Sequence, residues 1–369
     1  MEWQIHMTKE IYRADHVGSL LRPAELKEAR RQFENNDITI EDLRAVEDKA
    51  IANAVQKQKE AGLKAVTDGE YRRAWWHFDF LEGLKGVEGS DTGSGIAFKE
   101  RQTKSRAIKV TGKVDFDGHR EIEFFKYLQE QAGGTTAKYA IPSPSMLHFR
   151  GEIDKGVYPD EEEFFNDLAA AYKKVLQGFY DAGCRYLQLD DTSWGYFCSD
   201  EERQKLIDKG IDPEYLKEKY LEVLNKAVDG RPDDFKITMH ICRGNFRSTW
   251  ISSGGYEPVA EILFGRLNID GFFLEYDSDR AGGFEPLRHV NRKDLTIVLG
   301  LVTSKSGELE DAEDIKARID EAAQFVPLDQ LTLSPQCGFA STEEGNVLTE
   351  EEQWNKLKYV TDIAADVWK

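Results

Sequence analysis

Residues 160–190 read DEEEFFNDLAAAYKKVLQGFYDAGCRYLQLD, and the change of period inside this stretch decides the fold. From Asp160 to Ala182 apolar residues recur near 3.6-residue spacing, which marks an amphipathic helix. Gly183 follows, at a place where a left-handed C-cap is cheap for glycine and awkward for other residues. Tyr186–Asp190 is then a short apolar run that ends in polar residues, as expected of a strand buried on both faces.

The same unit recurs along the chain. Eight apolar runs stand out: Tyr12–His16, Leu63–Asp68, Lys138–Pro142, Tyr186–Asp190, Lys236–His240, Phe272–Tyr276, Thr296–Leu301 and Leu331–Ser334. Between them lie helical stretches such as Glu41 to Ala61, Pro213 to Val228 and Asp311 to Phe325, and Gly62 and Gly230 punctuate the ends of two helices as Gly183 does. Alternating β and α segments predict a parallel sheet in an α/β fold. An open doubly wound sheet would carry GxGxxG or GxxxxGK[ST] after an early strand, and neither occurs. The expectation is therefore a single (β/α)8 TIM barrel over residues 1–369, a length such barrels reach through insertions. Residues 90–134 break the rhythm and read as a β-hairpin insertion around Arg106–Val114.

Composition narrows the partners. Hydrophobic residues make up 40% and charged residues 32%, as in a globular chain with ample core. Against 49 Lys and Arg stand 68 Asp and Glu, and a formal charge of −19 repels nucleic acid and anionic membranes. Residues 1–15 lack the apolar core of a signal peptide, and no apolar run approaches membrane-spanning length. A cytoplasmic address follows, where the four cysteines are ligands or core residues rather than disulfides. Oligomeric state, monomer or homo-oligomer, stays open.

In a barrel the C-terminal strand ends build the active site, and here they are rich in metal ligands. His240 and Cys242 are two apart on one run, so the strand period turns both to one side. Glu275 closes the next run and Cys337 follows the last. One imidazole, two thiols and a carboxylate suit Zn2+. The plainer reading makes Cys242 and Cys337 buried apolar residues and His240 a satisfied core histidine; that reading serves well enough for Cys184 and Cys198.

The segments Met239-His240-Ile241-Cys242, Phe273-Leu274-Glu275-Tyr276 and Ser334-Pro335-Gln336-Cys337-Gly338-Phe339 resemble the zinc-ligand motifs of the cobalamin-independent methionine synthase family, in its C-terminal catalytic barrel. His16-Val17-Gly18-Ser19, Asp68-Gly69-Glu70 and Gln188-Leu189-Asp190-Asp191 resemble its Ile-Gly-Ser, Gly-Glu and Gln-Ile-Asp-Glu elements. The resemblance implies a zinc-dependent methyltransferase of methionine biosynthesis that moves a methyl group from a methylfolate-type donor to the thiol of homocysteine. It also implies that Val17, Gly18 and Ser19 contact the substrate carboxylate, while Glu70 and Asp190 hold its ammonium. On their own terms, Asp190 and Asp191 also suit a helix cap, and Glu70 a surface ion pair with Arg72 or Arg73.

The pattern departs from the family in two places. Lys305 stands where the family has its acid histidine, and is the candidate proton donor. The tryptophan of the family's folate region is missing from residues 142–149, with His148 or Trp75-Trp76-His77 as candidate substitutes, although core packing suits the two tryptophans. Two further readings stay open: a zinc alkyltransferase for another thiol or electrophile, like the coenzyme M transferases, and a non-catalytic zinc- or thiol-binding protein.

Overall fold

A computed structural model describes residues 12–90, 107–244, 247–248 and 252–369. Seven parallel strands form one sheet in sequential order: β1 (Ala65–Val66), β4 (Thr136–Pro142), β6 (Tyr186–Asp191), β7 (Lys236–Ile241), β8 (Gly271–Glu275), β9 (Thr296–Val302) and β10 (Leu331–Pro335). The first predicted run supplies one bridge rather than a ladder, Ala14 pairing in parallel with Leu333 of β10. On its other side Tyr12 packs with Ala65 of β1 and Tyr186 of β6, and Thr67 Oγ1 donates to the carbonyl of Gly18. The run thus lies between the last strand and the first, and the parallel sheet curls into the expected α/β barrel. Beside the bridge Asp15 turns its carboxylate to the His16 amide, the Lys138 ammonium and the Tyr186 hydroxyl.

Helices cover the outside. Ile40–Glu60 starts on a capping box between Thr39 and Asp42, Glu161–Asp181 on Asp160, and Pro213–Val228 on Asp212. Gly62, Gly183 and Gly230 all take the positive φ expected after their helices.

The hairpin insertion is present, with β2 (Lys85–Ser90) antiparallel to β3 (Ala107–Asp115), and β5 (Gly151–Ile153) adds to β3 in parallel. The end of the expected 90–134 insertion belongs elsewhere. Arg120–Ala132 is the helix that leads into β4, burying Phe125, Leu128 and Ala132 and ending at left-handed Gly133. Its periodicity is legible in the sequence, but the glycines and charges before it hide its start. The Arg106 end of the hairpin reading lies outside the described residues. No described helix is long and apolar enough to cross a membrane.

Candidate metal centre

Strand alternation delivers the site. On β6, Tyr186, Gln188 and Asp190 share one face, and Asp190 is in register with His240 of β7. The Gln188 amide donates to the Val17 carbonyl and to Asp190 Oδ1, both at 2.7 Å, and so ties the first loop to this strand end. Glu275 is the last residue of β8, and its register partner on β9 is Gly300. A register shift at Ser334/Pro335 then carries the chain across β9, where a Cβ on Gly300 would stand 2.6 Å from the Gln336 Cα. That close approach, open only to glycine, brings Cys337 in beside β7.

Four donor atoms from His240, Cys242, Glu275 and Cys337 lie within 4.8 Å of one another, and all four residues are buried. The two sulfurs are 3.7 Å apart. Among the described residues neither ring nitrogen of His240 has a hydrogen-bond partner within bonding geometry, although both are buried. A buried imidazole with both nitrogens unsatisfied is costly unless something else binds it. Two thiols, an imidazole and a carboxylate fit zinc, whereas calcium and magnesium require oxygen shells.

The electrostatics agree. The Cys242 S–H, and then His240, hold the Cys337 thiol well below the ordinary thiol range against burial. Cys242, facing that sulfur and buried, is pushed well up. Burial alone would lower the His240 imidazolium, but Cys337, Asp190 and Glu275 outweigh it and raise it to about 9. Burial raises the Glu275 carboxyl as well. Such a concentration of acidic groups in a low-dielectric site calls for a cation.

The centre opens on a pocket lined by Val17, Ser19, Glu70, Asp190, His240, Cys242 and Cys337 together with Trp76, Gly338 and Ser341. Gly18 sits at the edge, 3.8 Å from Glu70 Oε1 if it carried a Cβ, and among the described residues the Gly18 and Ser19 amides donate to no protein acceptor. Glu70 is 4% exposed, so it is not a surface residue; Arg72 pairs instead with Glu47 and Asp48, and Arg73 Nη1 stands 4.0 Å from Glu70 Oε2. Burial pushes the Glu70 carboxyl up to about 8 and the Asp190 carboxyl up to about 6. Neighbouring Asp191 faces the other way and caps the next helix through Ser193 and Trp194. Asp191 thus takes the capping role, while Asp190 lines the pocket.

Lys305 is not in the pocket lining; its Nζ donates to Asp277 Oδ2 at 2.9 Å. His148 is elsewhere too, bonded to Tyr220 and Glu161. Trp76, from the segment offered as a substitute for the missing tryptophan, lines the pocket, whereas Gly338 and Ser341 are pocket residues the sequence reading does not single out. The Trp75–Thr342 bridge and the Trp76 amide on the Ser341 carbonyl bring the two loops together. Only the aromatic pair in Trp75-Trp76 hints at this from sequence.

The family model described as "Cobalamin-independent synthase, Catalytic domain" matches residues 13–365. The chain belongs to that family. Enzymes of the methionine synthase and methyltransferase type are among its relatives. The chain is 60% identical over 361 residues to YxjH of Bacillus subtilis, covering 98% of this chain and 96% of that one. A Listeria monocytogenes crystal structure, whose name places it with vitamin-B12 independent methionine synthases, superposes with a TM-score of 0.82 at 52% identity over 98% of this chain and 99% of that one. The methionine synthase of Saccharolobus solfataricus is 23% identical over 87% of this chain and 86% of its own length.

Proposed function

We propose that this family member transfers a methyl group from a methylfolate-type donor to the sulfur of homocysteine, giving methionine, with zinc held by His240, Cys242, Glu275 and Cys337. One observation carries the reading: three of the four clustered donors, His240, Cys242 and Cys337, line the same pocket as Ser19, Glu70 and Asp190, with Glu275 buried behind them. Zinc, when bound, supplies a Lewis acid that makes a thiol a thiolate at neutral pH. The chain's residues bind and orient the rest of the substrate. The Gly18 and Ser19 amides and the Ser19 hydroxyl suit its carboxylate. Val17 contributes its side chain as a wall, because its carbonyl is already taken by Gln188. Glu70 and Asp190 receive the ammonium; an arriving cation favours their ionised forms and reverses the effect of burial. The wall from Trp76 to Ser341 excludes water beside the sulfur. For Lys305 to donate a proton to the departing carrier, its side chain has to leave Asp277.

Purified protein with zinc, homocysteine and a series of labelled methyl donors tests this reading. Labelled methionine from a methylfolate is the expected product. Label in a different thiol, or in none with every donor, counts against it.

A further inference from the structure

Behind Glu275 lies a buried chain of charge that the four-donor set leaves unused. Arg280 Nη2 donates to Glu275 Oε2 at 2.8 Å and to Asp277 Oδ1 at 3.2 Å. Asp277 Oδ2 in turn accepts from Lys305 Nζ at 2.9 Å and from Thr303 Oγ1 at 3.0 Å. None of the four charged side chains is more than 12% exposed. The second oxygen, Glu275 Oε1, accepts the Arg243 amide at 2.8 Å, and the Tyr256 hydroxyl bonds the Glu275 backbone. Donors from separate loops therefore fix both oxygens of one carboxylate, while among the described residues His240 beside it has no hydrogen-bond partner at either nitrogen.

Resting on the zinc reading above, we propose that Arg280 is a positioning residue for Glu275. Held by Asp277, which Lys305 and Thr303 anchor from the loop after β9, it fixes the carboxylate toward His240 and the two sulfurs before metal arrives. The free side chain would otherwise lose rotamer freedom on binding, and fixing it beforehand removes that cost. Lys305 then acts three links away from the proposed metal ligand, as the counter-charge that keeps Asp277 in place. A mere surface ion pair would contribute little and leave metal binding untouched; this one is buried and ends on a proposed ligand.

The test is zinc affinity of the full chain, by competition with a chromogenic chelator. It compares wild type, Arg280→Met, Arg280→Lys, Glu275→Gln and the double variant Glu275→Gln/Arg280→Met. Arg280→Met is expected to weaken zinc by about 10- to 100-fold, as loss of an outer partner does, with a smaller loss for Arg280→Lys. In the Glu275→Gln background, Arg280→Met is expected to change affinity by less than about twofold, because the two act as one unit. If Arg280→Met fails to fold, the lysine variant and the double variant, which leaves neither charge of the pair, carry the comparison. Unchanged or tighter zinc in Arg280→Lys and Arg280→Met, or an equal loss with and without Glu275, overturns the proposal. A wild-type chain that takes up no zinc overturns the zinc reading as well, and is told apart by that result alone.

Discussion

Cys242 and Cys337 are 95 residues apart in the chain, and their sulfurs are 3.7 Å apart in the fold. That distance is far beyond the roughly 2.05 Å of a disulfide bond, and it suits two thiolates sharing one ion. His240, on the strand that Cys242 directly follows, and Glu275, on its neighbour, complete the set.

Cys337→Ser replaces a soft ligand with a poor one. Zinc affinity is expected to fall by more than the roughly 10- to 100-fold that loss of an outer partner costs. Metal analysis after dialysis against a weak chelator checks this; a full equivalent retained removes Cys337 from the ligand set.

Asp190→Asn keeps the shape and removes the charge. Zinc content stays at wild-type level, while homocysteine binds about 10- to 100-fold more weakly, the share of one charge-assisted hydrogen bond. Calorimetric titration with the thiol reads the change, and an unaltered dissociation constant refutes the ammonium contact.

Gly338→Ala probes the packing of the substrate loop. A Cβ there would stand 1.9 Å from Ser19 Oγ and 3.1 Å from Ser19 Cβ, so the loop has to shift. Overpacking of this kind costs about 1–3 kcal/mol. Thermal unfolding is expected to show a lower midpoint, accompanied by weaker homocysteine binding; a variant with wild-type values of both shows that the loop yields freely.

Glu70 sets a pH dependence whose sign follows from burial. Its carboxyl is raised from 4.5 to about 8 in the folded chain, so folding favours the neutral form. The stability it contributes is fully present below about pH 4.5 and is lost as pH rises through about 8. Without metal and thiol, the melting temperature should therefore decline across that window, and Glu70→Gln should flatten the decline. Homocysteine binding should strengthen over the same range as Glu70 ionises. Identical slopes for wild type and Glu70→Gln contradict the assignment.

Much of this was legible in the sequence because strand period and strand order are local. His240 and Cys242 share a face by alternation alone, and seven of the eight apolar runs became strands in sequential order. The rest depends on distant contacts. Cys337 reaches the site only through the shift at Ser334/Pro335 and the room left by Gly300, which no local pattern announces. Trp76 lines the pocket because its loop pairs with residues 341–343, more than 260 residues downstream. Lys305 is expected from its motif to be a proton donor, yet Asp277 engages it, a partner 28 residues away that motif spacing does not reveal. The helix Arg120–Ala132 was hidden by the glycines and charges that precede it, although its own apolar spacing is regular.

X-ray absorption at the zinc edge of the purified chain measures the central claim most directly. The expected result is one zinc per chain with two sulfur neighbours at about 2.3 Å and two lighter neighbours at about 2.0–2.2 Å. A shell of oxygen and nitrogen alone, or zinc far below one equivalent after reconstitution, would contradict it.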